Sequence, residues 1–141
     1  MMSLPPFPMR SLLFVPGNQP AKIEKARGLA PDVLVLDLED SVPSAEKDRA
    51  RLTVQELLPT MIAARRRLFV RVNPLSSGLM EGEIAAVVGP CLDGISLPKV
   101  NSPEDIARAD RFIESAEKAR GLAPGSIKLI PWIETARSIL H

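Results

Sequence analysis

The stretch "DVLVLDLEDSVPS", residues 32–44, decides the fold class. Its run 33–38 is apolar on both faces, whereas a strand with one wet face alternates. A strand buried on both sides is the mark of a parallel sheet covered by helices. The run ends in Asp37, Glu39 and Asp40. Carboxylates beside a core are costly unless something offsets their charge, so the end of this strand is a candidate site.

Working outward, short apolar runs alternate with longer amphipathic ones. Residues 11–15 (SLLFV) read as a buried strand closed by the turn PGNQP. Residues 21–29 predict a short helix. Ser44 can cap a helix over 45–58, with Glu46 and Asp48 in the first turn, where the dipole favours acids. Residues 67–72 (RLFVRV) form a third strand, 79–88 a helix and 94–97 (GISL) a fourth strand. Ser102-Pro103-Glu104-Asp105 reads as a helix start, with that helix reaching about Arg120. Residues 128–133 (KLIPWI) form a fifth strand carrying Pro131, and a last helix begins near Glu134. The segment SLPPFP before the first strand reads as an extended arm.

The pattern is a strand and a helix five times over in one domain, an α/β class with a parallel sheet. Two architectures suit it. A five-stranded doubly wound sheet fits within 141 residues. An eight-stranded barrel needs about 250, of which these would be the first five units.

Composition narrows the function. The net charge is +1, with 45% hydrophobic and 25% charged residues, so no strong field recruits nucleic acid or anionic lipid. Aromatics are 4% and Tyr is absent, which argues against base stacking. No apolar run approaches the ~18 residues of a membrane span, and the N-terminus lacks a signal-peptide pattern. The expectation is a cytoplasmic protein. Cys91 is the lone cysteine, which excludes an internal disulfide, and the lone histidine, His141, is terminal.

Parallel strands collect active sites at their carboxyl ends. In order, those ends carry Pro16-Gly17-Asn18, then Asp37, Glu39 and Asp40, then Arg71 and Asn73, then Pro98-Lys99, then Glu134. Carboxylates facing one Arg and one Lys suit a hard cation and an anionic ligand. Each also has a plainer reading. Glu134 can serve as a first-turn helix acid, the Asp37 group as loop ion pairs and Lys99 as a solvated side chain.

The motifs RSLLFVPGN, VLVLDLEDSV, FVRVNP, GISLPKV and PWIET, taken together and in this order, resemble the citrate lyase β-subunit-like family of the HpcH/HpaI aldolase group. The resemblance runs from about Arg10 to the end of the chain. It implies a partial (β/α)8 TIM barrel, with residues 1–141 as the N-terminal part of one aldolase/lyase domain. It implies Mg2+-assisted retro-Claisen cleavage of a 3-hydroxyacyl-CoA thioester of the citryl-, malyl- or citramalyl-CoA type, with a CoA thioester and a small keto acid as ligands. By the same resemblance Glu134 is a metal ligand and Arg71 meets the substrate oxyanion or carboxylate. Glu39 and Asp40 stand near the metal and its waters, and Arg10 and Lys22 lie in a region used for CoA. A homo-oligomer, a trimer by analogy, is implied as well.

Two departures follow. The family's second metal carboxylate, an Asp after the sixth strand, has no counterpart in the chain, which ends seven residues after Glu134. Three further units would take roughly 100 residues to close the barrel. Two rival readings remain open at this point. One is a non-catalytic piece that only associates with a partner. The other is a receiver-like signalling domain, for which Asp37 and Lys99 would be acceptor and lysine but whose first strand end lacks the acidic pair.

Overall fold

The computed structural model describes residues 8–62 and 66–140. Strand β1 (Leu12–Pro16) leads to helix α1 (Pro20–Arg27), and β2 (Val33–Asp37) leads through a 3-10 turn (Ser44–Glu46) to α2 (Lys47–Leu57). Strand β3 (Arg67–Arg71) is followed by α3 (Met80–Val87), β4 (Gly94–Leu97) by α4 (Pro103–Ala119), and β5 (Lys128–Pro131) by α5 (Ala136–Leu140). All four strand pairings are parallel, and the sheet order is β1-β2-β3-β4-β5.

That order separates the two architectures. A doubly wound sheet, receiver domains included, reverses its strand order at a switch point. Here every strand lies beside its predecessor. The helices also gather on one face. The main core joins Leu34, Leu36, Val70, Ile95 and Leu97 of the sheet, and Leu38 just after β2, to Ile23, Ala50, Val54, Ile84 and Ile113 of the helices. The other face is a separate cluster of Val33, Val35 and Phe69, joined by Leu12, Phe14 and Ile130, with no helical member. One face clothed in helices and one lined by side chains alone is the wall of a (β/α) barrel.

Register places the site. Phe14 pairs with Val35, Val35 with Phe69, and Phe69 with Gly94, all on the inner face. A side chain at Gly94 would have no room, because its Cβ would stand 2.3 Å from the Phe69 ring and 2.5 Å from the Lys128 carbonyl. Two residues onward the same face carries Asp37 beside Arg71 and Arg71 beside Ser96. On β2 and β3 the inner face thus passes from Val35 and Phe69 to the charged pair Asp37 and Arg71 in its last row.

Local details differ from the sequence reading at three places. Ser44 does not cap α2: it opens the 3-10 turn and makes no side-chain cap bond, so the α-helix starts at Lys47. Glu46, expected to act as a first-turn acid, instead accepts a hydrogen bond from Asn18 Nδ2 at 2.7 Å. The last helix starts at Ala136, after Thr135 and Ser138 exchange backbone-to-hydroxyl bonds of 3.2 and 3.1 Å, a reciprocal cap. Pro131 ends β5 on the sheet edge, where no ladder bond is asked of it. The proline arm up to Phe7 and His141 lie outside the described residues. Among the described residues no helix is long and apolar enough to cross a membrane.

Candidate active site at the carboxyl ends of the strands

Asp37 closes β2 with a side chain only 1% exposed. Its carboxylate takes both arms of Arg71, Nε to Oδ1 and Nη2 to Oδ2, each at 2.7 Å. The Glu39 backbone N–H donates to Oδ1 at 2.9 Å, and the Ser41 hydroxyl donates to Oδ2. Burial alone would raise the Asp37 pKa. The bonds from Arg71, Ser41 and Glu39 outweigh it and hold the group below the usual carboxylate range. Burial likewise works against the Arg71 charge, and Asp37 more than offsets that, leaving its pKa above the ordinary value. Arg71 also lies over the Phe14 ring, 4.8 Å from its centroid. Phe14 in turn packs on Trp132, whose indole N–H donates to Ser96 Oγ at 2.7 Å.

With Nε and Nη2 committed to Asp37, Nη1 is the one guanidinium nitrogen of Arg71 outside that fork. Nη1 stands 3.3 Å from Glu39 Oε2, an ion pair without hydrogen-bond geometry. Glu39 is 3% exposed, and its other oxygen accepts from Lys99 Nζ. The same ammonium reaches Asp40 Oδ1 at 2.9 Å. The Lys99 bond holds Asp40 below the usual carboxylate range, and Glu39 with Asp40 raises the Lys99 pKa. The Lys99 backbone N–H donates to Glu134 Oε1 at 2.9 Å. Lys99 has φ 51°, a left-handed backbone that costs a side-chain-bearing residue about 1–3 kcal/mol. Strain of that size at a strand end beside buried acids is a feature of ligand clamps.

A second network sets the β2 turn from below. Asn73 Nδ2 donates to the Leu38 carbonyl at 2.8 Å and to Glu83 Oε1 at 2.6 Å, while its backbone N–H meets Glu83 Oε2 at 2.7 Å. Burial raises the pKa of Glu83, against the pull of those Asn73 bonds. Lys47 Nζ donates to the Leu38 carbonyl at 2.8 Å and also to that of Glu39. Both carbonyls next to the site acids are therefore held.

Of the residues picked from sequence, the structure unites Arg71, Glu39, Asp40 and Glu134. Lys22 is exposed in the first turn of α1, at this same end of the sheet. Arg10 is not brought here. It precedes β1 and grips Asp32, before β2, with bonds of 2.8, 3.0 and 2.9 Å. A strand of five residues, about 16 Å at about 3.3 Å each, separates that pair from Asp37. The family resemblance assigns no role to Asp37, the partner of Arg71. Its signal was parity: Asp37 shares the inward register of Val33 and Val35. Lys99 gave no such signal, because its role depends on a backbone angle.

Residues 10–141 match the HpcH/HpaI aldolase/citrate lyase family. The chain belongs to that family. It is 36% identical over 132 residues to the citrate lyase subunit beta of Leuconostoc mesenteroides subsp. cremoris, covering 94% of this chain and 44% of the relative. It is 37% identical over 141 residues to an L-malyl-CoA/beta-methylmalyl-CoA lyase of Cereibacter sphaeroides, covering 97% of this chain and 44% of that one. The chain thus spans less than half the length of these HpcH/HpaI relatives. Among solved structures, Haloferax volcanii malate synthase in a magnesium/glyoxylate complex shares the fold with TM-score 0.84 at 22% identity, over 93% of this chain and 44% of that chain. The protein CitE of Mycobacterium tuberculosis in complex with magnesium and acetoacetate gives TM-score 0.67 at 29% identity, over 92% and 46%. These coverages agree with a five-unit portion of a barrel.

The donor set has the chemistry for a hard cation: carboxylate oxygens of Glu39, Asp40 and Glu134, with Glu39 Oε2 buried and lacking a hydrogen bond. Among the described residues no three His, Cys, Asp or Glu side chains converge closely enough to hold a metal unaided. Lys99 stands between them.

Proposed function

We propose that this chain carries the first five βα units of a Mg2+-assisted carbon–carbon lyase acting on a 3-hydroxyacyl-CoA thioester of the citryl-, malyl- or citramalyl-CoA type. The observation that carries the reading is the Arg71 fork: clamped by Asp37 on one edge, stacked on Phe14, and with Nη1 held only by an ion pair to Glu39 that lacks hydrogen-bond geometry. A guanidinium fixed in this way costs no reorganisation when charge develops on a carboxylate or enolate oxygen. Family membership supplies the reaction class, and the names of the relatives supply the CoA ester.

In this reading Arg71 Nη1 binds the keto-acid half and holds its growing negative charge. Glu134 would hold the metal, and Glu39 and Asp40 would orient its waters. A bound Mg2+ would supply Lewis acidity that eases loss of the alcohol proton. Phe14 covers one face of the Arg71 guanidinium, and Trp132 backs Phe14. Lys22 serves the CoA phosphates. Arg10, at the opposite ends of the strands, has no part in this assignment.

The test is a thermal melt with Mg2+, acetyl-CoA and oxaloacetate, singly and together. A shift that needs all three, and that is lost in Arg71→Lys, supports the reading. A melt indifferent to every combination refutes it. A second reading, a chain that acts by association with a partner, draws on the exposed Ile133, Ile139 and Leu140 beside the edge strand β5. The homotrimer, implied by analogy with the lyase family, belongs with the first reading.

A further inference from the structure

We infer that Lys47 is a positioning residue for the candidate site: its ammonium fixes the main chain on which Glu39 stands, and so fixes where the Glu39 carboxylate meets Arg71 and Lys99. The inference rests on the reading of this cluster as the active site. Lys47 opens α2, and its Nζ donates to two main-chain carbonyls, those of Leu38 and Glu39. By local preference a lysine is out of place there, because the helix dipole favours acids at that end. Its reach explains it. The Cα–Cβ bonds of a helix tilt toward its start, so the stem of a first-position lysine runs back past the helix to the end of β2.

Neighbouring carbonyls of a regular strand face opposite ways. Those of Leu38 and Glu39 meet one ammonium, directly after β2 ends at Asp37. The chain has therefore turned at this point, and the lysine holds the turn. Glu39 is pinned on both sides of its Cα: its backbone N–H donates to Asp37 Oδ1 at 2.9 Å, and its carbonyl accepts from Lys47. Its buried side chain then runs to Lys99 Nζ and Arg71 Nη1.

The plainer role for such a lysine is stability, and the bond pattern separates the two. The Leu38 carbonyl also accepts from Asn73 Nδ2 at 2.8 Å, and the Glu39 carbonyl from the Val42 N–H at 3.1 Å. Loss of the ammonium leaves neither carbonyl without a donor, so the penalty for an orphaned buried group does not arise. What is lost is the common point to which both carbonyls are drawn.

The experiment is a pulse of acetic anhydride on the 141-residue chain, with mass spectrometry of each lysine against exposed Lys22, for the parent, Lys47→Met and Lys47→Arg. Glu39 and Asp40 keep the Lys99 ammonium protonated, so Lys99 acetylation reports whether Glu39 is in place. In the parent, Lys47 should react about tenfold more slowly than Lys22, the factor that one hydrogen bond to a charged group is worth. Equal rates would mean an ammonium free of the carbonyls and would overturn the inference before any variant is made. In Lys47→Met, Lys99 should react about threefold faster than in the parent, the factor of one partly exposed ion pair. Lys47→Arg, whose guanidinium can donate to both carbonyls, should restore the parent rate. An unchanged Lys99 rate in Lys47→Met, with or without a lower melting midpoint, would make Lys47 a structural tie and overturn the inference. No ligand enters this measurement, so a melt indifferent to Mg2+, acetyl-CoA and oxaloacetate refutes the proposed function separately.

Discussion

At the scale of single residues, the Asp37–Arg71 pair dominates. Removing one partner of a buried, forked ion pair leaves the other charge without compensation and costs about 3 kcal/mol or more. Asp37→Asn should lower the urea-unfolding free energy by about that amount. A loss under about 1 kcal/mol would mean that the pair is solvated rather than buried. The acids also set the pH response. Asp32, gripped by Arg10, has its pKa lowered to about 2. The unfolded value is about 3.9, so its stabilising contribution is complete above that value and disappears as pH falls toward the folded one. Asp37 is depressed too and acts in the same direction. Stability should fall from about pH 4 to about pH 2, and Arg10→Met should flatten that slope. An identical slope in the variant would count against the Arg10–Asp32 bond as its source. Much of this scale was readable beforehand, since Glu39, Asp40, Arg71 and Glu134 were picked from strand ends. What was not readable was pairing. Arg10 and Arg71 are both arginines near strand ends, and only the register shows one at the amino end with Asp32 and the other at the carboxyl end with Asp37.

Among elements, the β2 turn depends on groups that belong to other elements. Asn73, after β3, ties the Leu38 carbonyl to Glu83 of α3. Glu83→Leu would leave the Asn73 backbone N–H without its acceptor and its amide with only the Leu38 carbonyl, a buried loss costing about 3 kcal/mol. Chemical denaturation would measure it, and a loss near zero would show that water replaces the carboxylate. A milder probe is Gly94→Ala. Its added methyl must push the Phe69 ring or the β5 backbone, so a loss of about 1–3 kcal/mol is expected. A neutral result would mean that the inner wall relaxes freely. The element boundaries were largely legible, because double-sided apolar runs and proline or glycine stops are local signals. The caps were less so. Ser44 had the right identity for a cap, yet Glu46 is drawn to Asn18 and the α-helix starts later, a tertiary contact overriding a local preference.

For the whole molecule, the outer edges of β1 and β5 pair with no strand among the described residues. Ile133, Ile139 and Leu140 stand exposed at the β5 end. Unpaired edges and apolar patches invite association. Sedimentation velocity should therefore show concentration-dependent oligomers of this chain, shifted toward monomer by Ile139→Lys. A monomer at all concentrations would argue that the edges are protected by twist and by Pro131 alone.

The amino-acid sequence alone determined the class, the order of strands and helices, and the end of the sheet where charge gathers. Those follow from periodicity, turn residues and the cost of ending a buried run in acids, all of which act within a few residues. Tertiary structure decided the rest. The unbroken order β1 to β5 chose barrel wall over open sheet, because sheet order depends on how each crossover packs. The inner register joined Asp37 to Arg71, and the left-handed turn at Lys99 laid its ammonium across Glu39 and Asp40. Such contacts span tens of residues along the chain, and their energies depend on burial that exists only once the wall has formed.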